Sequence, residues 1–260
     1  MKKTLVIHCY VNYNIEYRKC LNCHFFYLKK YANIFDKIIF VVALDNLQDD
    51  ELISYATQKA FEVFDSKKLI IKFIQNDKVL CEVPTFRDEV LNNESLEGLV
   101  FFCHTKGGHF NNHNTLKWNS CMYFYNFHFM DDVISKLENN NGIFYGTLLH
   151  QANNKEQVHN RNLALYSGAF YWVNIDNMRK RMKDDNNTLE YLKNDRYFAE
   201  FFPGEIVGID EMNSLNNVSF RWLEIHTYFG DYDTIVHKLG YEKEFWEEYN
   251  NMYNEINYEQ

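Results

Sequence analysis

Through the first hundred residues, short unbroken apolar runs alternate with longer stretches in which apolar side chains recur at every third or fourth position. Unbroken runs read as buried strands and the spaced pattern as amphipathic helices. Strands are predicted at Leu5 to Val11, Lys37 to Ala43, Leu69 to Ile74 and Leu99 to Cys103, and helices at Tyr17 to Ile34, Asp49 to Phe64 and Phe86 to Leu91. This alternation is the mark of βαβ units and predicts an α/β fold with a mostly parallel central sheet flanked by helices. Right-handed crossovers then bring the loops after Val11, Ala43, Ile74 and Cys103 to one sheet edge. Asn12 and Asn14, Asp45 and Asn46, Asn76 and Asp77, and the turn from His104 to Gly108 all converge there. In open α/β sheets ligands bind beyond the carboxyl ends of the strands, so this edge is the predicted site.

The second half is patterned differently. A helix rich in aromatics is predicted from Trp118 to Leu137, with strands at Ile143 to Gly146 and Leu163 to Val173, the latter containing a Gly168 that permits close backbone approach. Ile175 to Met182 reads as a helix, Lys183 to Asn187 as a charged turn, and a further helix starts at Leu189. The acidic, aromatic tail from Tyr241 to Gln260 reads as a helix laid on the body. No linker or repeat divides the chain, so residues 1–240 are expected to form one domain and residues 241–260 an extension.

Composition narrows the function. The 260 residues, 46% of them hydrophobic, suffice for a full core. A formal charge of -9 argues against a general nucleic-acid binder, which needs surplus Lys and Arg to displace counterions from phosphates. The start, Met1-Lys-Lys and then Thr4 to Val11, superficially resembles a secretory signal, but His8 interrupts it and no small-residue cleavage site follows. No stretch approaches the roughly 18 apolar residues of a membrane span. A soluble, cytoplasmic protein is expected, with peripheral membrane attachment left open. The six cysteines read as reduced thiols. Cys20-Leu-Asn-Cys23-His24 matches the c-type haem attachment pattern, and a haem or zinc protein built on it is one alternative reading. Without an export signal or a second Cys/His pair, the plainer reading is a helix carrying two cysteines and a histidine.

The richest chemistry lies in Leu99 to Gly108. Lys106 supplies a compact positive charge, while Gly107 and Gly108 let backbone N–H groups come close to a ligand, so the ligand is expected to be anionic, with a diphosphate the first choice. Asp45 and Asp77, at strand ends, are candidate partners for a ribose or a base edge. His109 and His113 occupy an Asn-rich loop and read as solvated.

In that order along the chain, His104-Thr-Lys-Gly107, then Trp118, Ser167-Gly-Ala-Phe-Tyr-Trp-Val-Asn174 and Arg196-Tyr-Phe-Ala-Glu-Phe-Phe202 resemble GT-A-like glycosyltransferases that carry an HTKG motif. Such proteins occur in bacterial surface-polysaccharide clusters, including rhamnan-synthesis types, and in large viruses. The resemblance implies a nucleotide-sugar donor held by a Rossmann-like half (residues 1–115) and an acceptor half (residues 116–240). Together with the strand-end topology that gives Asn12, Asp45 and Asp77, it points to His104, Thr105, Lys106 and Gly107 on the donor side and to Trp118, Ser167, Gly168 and Trp172 on the substrate side, with Trp118 packing under the His104 loop and Trp172 either stacking on a sugar face or lying in the core. Where the wider GT-A pattern places an Asp-x-Asp for a divalent metal, this chain has His104-Thr-Lys106, which offers no carboxylate. Lys106 can neutralise the diphosphate instead. The literal Asp231-Tyr-Asp233 comes late in the chain, so dependence on manganese or magnesium stays open.

An inverting transfer needs a carboxylate to take the proton of the acceptor hydroxyl. Glu200 is the first candidate, Glu205 and Asp210 are the alternatives, and a retaining route needs none of them. The expected function is transfer of a sugar from a nucleoside diphosphate to a hydroxyl of a glycan or lipid-linked acceptor, with a noncatalytic nucleotide- or glycan-binding module as the alternative.

Overall fold

The computed structural model describes residues 1–105, 113–139, 142–151, 164–166, 168–184, 196–207, 211–214, 220–221 and 232–258. Four strands and their crossovers make up the first half: β1 (Lys3–Tyr10), α1 (Ile15–Tyr31), β2 (Lys37–Leu44), α2 (Asp50–Val63), β3 (Leu69–Gln75), α3 (Val83–Thr85, continued by π turns over Phe86–Leu91) and β4 (Leu99–His104). There follow α4 (His113–Phe127), α5 (Met130–Ile134), β5 (Phe144–Gly146), β6 (Leu149–Gln151), β7 (Ala164–Tyr166), β8 (Tyr171–Asn174), α6 (Ile175–Asp184), α7 (Phe198–Ile206), β9 (Phe220–Arg221), α8 (Tyr232–Leu239) and α9 (Glu242–Tyr258).

The molecule is α/β, with a six-stranded sheet in the order β3-β2-β1-β4-β8-β5. Strands β1 to β4 are mutually parallel, and β8 alone runs against its neighbours, pairing Phe102 with Tyr171 and Tyr145 with Trp172. A small second sheet has the order β7-β6-β9. Alternation along β1 divides the interior, because successive side chains of a strand point to opposite faces. Leu5, Ile7 and Cys9 join the core that includes α1, α2, α4, α8 and α9, whereas Val6 joins Phe86, Val90, Phe102, Tyr171, Met178, Phe198 and Phe202 on the other face.

Local chemistry explains the boundaries. Asp49 caps α2 by accepting the Leu52 N–H at 3.1 Å, and Asp50 and Glu51 in the first turn complement the helix dipole. At the outer edge β3 is only half covered, with Ile70 and Lys72 exposed, whereas all six residues of β4 are buried. Helix α9 buries Phe245, Tyr249, Met252 and Ile256, and its Glu248 receives Lys30 and the Tyr31 hydroxyl of α1. No described helix is long and apolar enough to cross a membrane.

Two expectations are corrected here. The run Leu163 to Val173 is not one strand. Gly168 (φ +82°) and Ala169 (φ +51°) turn the chain in the left-handed region, so Tyr166 ends in the small sheet and Tyr171 starts in the large one. The helix expected from Trp118 to Leu137 starts earlier, at His113, and stops at Phe127, with α5 and the π turns of Ser135–Asn139 carrying the chain on. The helix expected from Leu189 starts outside the described residues.

Candidate functional site

Strand order reverses between β1 and β4, whose successors lie on opposite sides, and such a switch point opens a crevice beyond the carboxyl ends of the two strands. His104 and Thr105 occupy it. The Thr105 N–H donates to the His8 carbonyl at 2.9 Å, and the Thr105 hydroxyl oxygen accepts the Tyr10 N–H at 3.0 Å, so the β1–β4 ladder runs past the last residue of β4. His104, 8% exposed, hydrogen-bonds through Nε2 to the Gly168 carbonyl at 2.8 Å. A carbonyl only accepts, so Nε2 carries the proton. Lys106 and Gly107 come next in the chain and lie outside the described residues, as do Ser167, Asp210 and Asp231.

Sequence reasoning missed a buried carboxylate beside His104. Glu82, 7% exposed, places Oε2 3.8 Å from His104 Nδ1. It lies in the connection after β3 and belongs to no sequence motif. Beside it, His8 Nδ1 and the Thr85 hydroxyl share a hydrogen bond of 2.8 Å. Burial, opposed by the Glu82 charge and aided by that of His104, pushes His8 down to about 4, so this imidazole is neutral at ordinary pH.

Along the rest of the edge, Asp45 gathers its neighbours. Its Oδ1 accepts the Asn76 amide at 2.7 Å, its Oδ2 accepts the Tyr10 hydroxyl at 3.0 Å, and Lys78 stands 3.7 Å away. The Asn76 hydrogen bond leads in holding the Asp45 carboxyl below the usual range. Asp77 acts locally, its Oδ1 accepting the N–H groups of Leu80 and Val79, both at 2.9 Å, and these lower its pKa in that order. Asn12 likewise accepts the Asn14 N–H at 2.8 Å.

Glu200 lies in the first turn of α7, where a carboxylate complements the helix dipole. That turn is tied to the main sheet, because the buried Tyr171 hydroxyl donates to the Ala199 carbonyl at 2.9 Å while Tyr171 pairs with Phe102 of β4. Burial raises the Tyr171 phenol well above its ordinary value, and the charges of Tyr166, Glu200 and Glu82 add to the rise. Glu205 is half-buried at the far end of α7, and Asp233 is exposed in the first turn of α8. Among the described residues no three His, Cys, Asp or Glu side chains gather as metal ligands.

Trp172 is not on the edge. It is 0% exposed, stacks on Phe35 with centroids 5.6 Å apart, and donates its indole N–H to the Asn126 carbonyl at 3.0 Å. The expected sugar contact fails because β8 lies inside the sheet, between β4 and β5. Trp118 is also core, at 4% exposed. Cys20, Cys23 and His24 face inward from α1, with Cys20 Sγ accepting the Asn119 amide at 3.2 Å and His24 Nδ1 sharing a hydrogen bond with the Tyr123 hydroxyl at 3.0 Å. Burial leads in raising both thiols, so they are protonated at neutral pH.

No protein-family model and no curated protein matches the chain. Solved structures align over most of its length. A structure of 4-diphosphocytidyl-2C-methyl-D-erythritol synthase from Anaerococcus prevotii is 10% identical, with a TM-score of 0.41 over 90% of this chain and 96% of that one. Residues 1–349 of TarS from S. aureus, in complex with UDP, are 12% identical, with a TM-score of 0.44 over 98% of this chain and 71% of that one. A second TarS structure of the same residues gives 12% identity and a TM-score of 0.40. At this level the alignments establish neither a shared family nor a shared activity.

Proposed function

We propose that the chain is a GT-A-like glycosyltransferase that moves a sugar from a nucleoside diphosphate to a hydroxyl of a glycan or lipid-linked acceptor. The observation that carries this reading is the convergence of strand ends at the switch point. The β1, β2 and β3 ends bring Asn12, Asp45 and Asp77 to the edge where β4 ends in His104 and Thr105, and Lys106 and Gly107 follow directly. In this reading Lys106 neutralises the diphosphate and steadies the departing nucleotide, while Asp45 faces the nucleoside. His104 and Thr105 act by anchoring the end of β4, directly before Lys106 in the chain. Glu200, at the start of α7, takes the acceptor proton in an inverting displacement. The proton passes to the Glu200 carboxylate, the acceptor oxygen bonds to the anomeric carbon, and the bond from that carbon to the diphosphate breaks with its electron pair on the phosphate oxygen. Residues 1–115 serve the donor and residues 116–240 the acceptor.

The test is turnover of a panel of sugar nucleotides, followed as release of the nucleoside diphosphate, by the wild type and by Glu200→Gln. The proposal expects kcat to fall about 100-fold or more in the variant, the range for loss of a general base, with nucleotide affinity retained. Nucleotide binding with no turnover of any donor by the wild type would favour a noncatalytic binding module.

A further inference from the structure

Two buried hydrogen bonds cross from the main sheet to the segments that carry the second half of the site. His104 Nε2 reaches from the end of β4 to the Gly168 carbonyl at 2.8 Å, and the Tyr171 hydroxyl reaches from the start of β8 to the Ala199 carbonyl at 2.9 Å. Each accepting carbonyl lies beside a functionally loaded position. Gly168 opens a bend in which it and Ala169 both have positive φ, a conformation that strains a residue with a Cβ and persists only where its surroundings enforce it. Ala199 immediately precedes Glu200 in the first turn of α7, whose backbone is anchored by the Glu200 N–H on the Tyr197 carbonyl at 3.0 Å. The two anchors are linked, because β8 is only three residues from Gly168 and Phe102 of β4 pairs with Tyr171.

The geometry points to His104 and Tyr171 as a brace that fixes the Gly168 bend and the first turn of α7, which carries Glu200, against the end of β4 and the start of β8. They are positioning residues rather than groups that touch the reacting atoms. Each side chain is buried, spends a polar atom on a backbone carbonyl across a chain crossing, and packs its ring against aromatic side chains, His104 against Phe170 of one core and Tyr171 against Phe102 and Phe86 of the other. Glu82 Oε2 lies 3.8 Å from His104 Nδ1, the ring nitrogen turned away from the Gly168 carbonyl. In the sequence resemblance, the histidine of the HTKG segment reads as a donor ligand. The brace gives it a different role, which explains why a histidine sits where a buried amide-like donor of fixed reach is needed.

The inference rests on the glycosyltransferase reading for its catalytic consequence but not for its structural one, and the experiment separates the two. The variants are Tyr171→Phe, which removes only a hydroxyl, His104→Leu, which removes the donor, and His104→Gln, whose amide nitrogen replaces Nε2 at similar reach. Hydrogen exchange followed by mass spectrometry reads the brace directly. The expected result is exchange at least about tenfold faster over residues 168–172 in His104→Leu and over residues 198–202 in Tyr171→Phe, with His104→Gln close to wild type. Unchanged exchange in both deletion variants, or His104→Gln behaving like His104→Leu, would overturn the brace whatever the protein's activity. The catalytic consequence is read on sugar-nucleotide turnover: kcat falls about tenfold or more in both deletion variants, nucleoside diphosphate affinity stays within about twofold, and His104→Gln recovers most of the loss. Parallel loss of kcat and affinity would reduce the two residues to general structural support. If the wild type turns over no donor while the exchange pattern holds, the brace stands and the glycosyltransferase reading falls.

Discussion

The hydroxyl oxygen of Thr105 accepts the backbone N–H of Tyr10 at 3.0 Å. A threonine beside the proposed diphosphate site thus closes the β1–β4 ladder. Thr105→Val takes away the acceptor while keeping the shape, and is expected to cost about 1–2 kcal/mol of stability, whereas Thr105→Ser stays within about 0.5 kcal/mol of wild type. Urea unfolding measures both. Equal stability of the valine and wild-type proteins would mean that this contact adds nothing.

Acid sensitivity follows from His8. Its folded-state pKa, about 4, lies below its ordinary 6.5, so the unfolded chain takes up the proton first. Stability from keeping His8 neutral is complete above about pH 6.5 and is lost as the pH falls toward 4. The gap corresponds to roughly 3 kcal/mol. His8→Gln, which cannot titrate, is expected to flatten the decline in unfolding free energy between pH 6.5 and 4. An unaltered decline would assign the acid sensitivity to other groups.

Trp172 separates a core side chain from a sugar platform. With Phe35 stacked on it and its N–H on the Asn126 carbonyl, Trp172→Ala is expected to cost about 3–5 kcal/mol. Trp172→Phe is expected to leave nucleoside diphosphate affinity within about twofold, under about 0.5 kcal/mol. A large affinity loss in the phenylalanine variant, with little change in urea midpoint, would restore Trp172 to the ligand.

These residues also show what the chain makes legible. The strand at Leu99 to His104 is readable because an unbroken apolar run ending in polar residues and glycines has few other solutions. Crossover handedness brings the ends of β1 to β4 to one edge, but the order β3-β2-β1-β4, with β4 beside β1, is visible only in the structure. Past residue 105 the pairing is non-local, and nothing in the periodicity of Tyr171 to Asn174 says that it enters between β4 and β5 in the opposite direction. That insertion is what buries Trp172. The apolar run from Leu163 to Val173 hides a bend because a strand can tolerate an isolated glycine, whereas the positive φ of Gly168 marks the end of one strand and the approach to another. Glu82 escapes notice because an isolated acid after a strand looks like a surface turn until the fold sets His104 beside it. The place of Asp45 directly after β2 is legible because topology alone brings the strand ends to one edge.

The central claim is that the crevice beyond β1 and β4 holds a nucleoside diphosphate. Isothermal titration of UDP, GDP, CDP and TDP, with and without manganese, against the wild type, Lys106→Ala and Asp45→Ala tests it most directly. The account predicts that at least one nucleotide binds the wild type at micromolar Kd, about −8 kcal/mol, and that each substitution weakens it about tenfold or more. Absence of binding by all four at millimolar concentration, or an affinity indifferent to both substitutions, would contradict it.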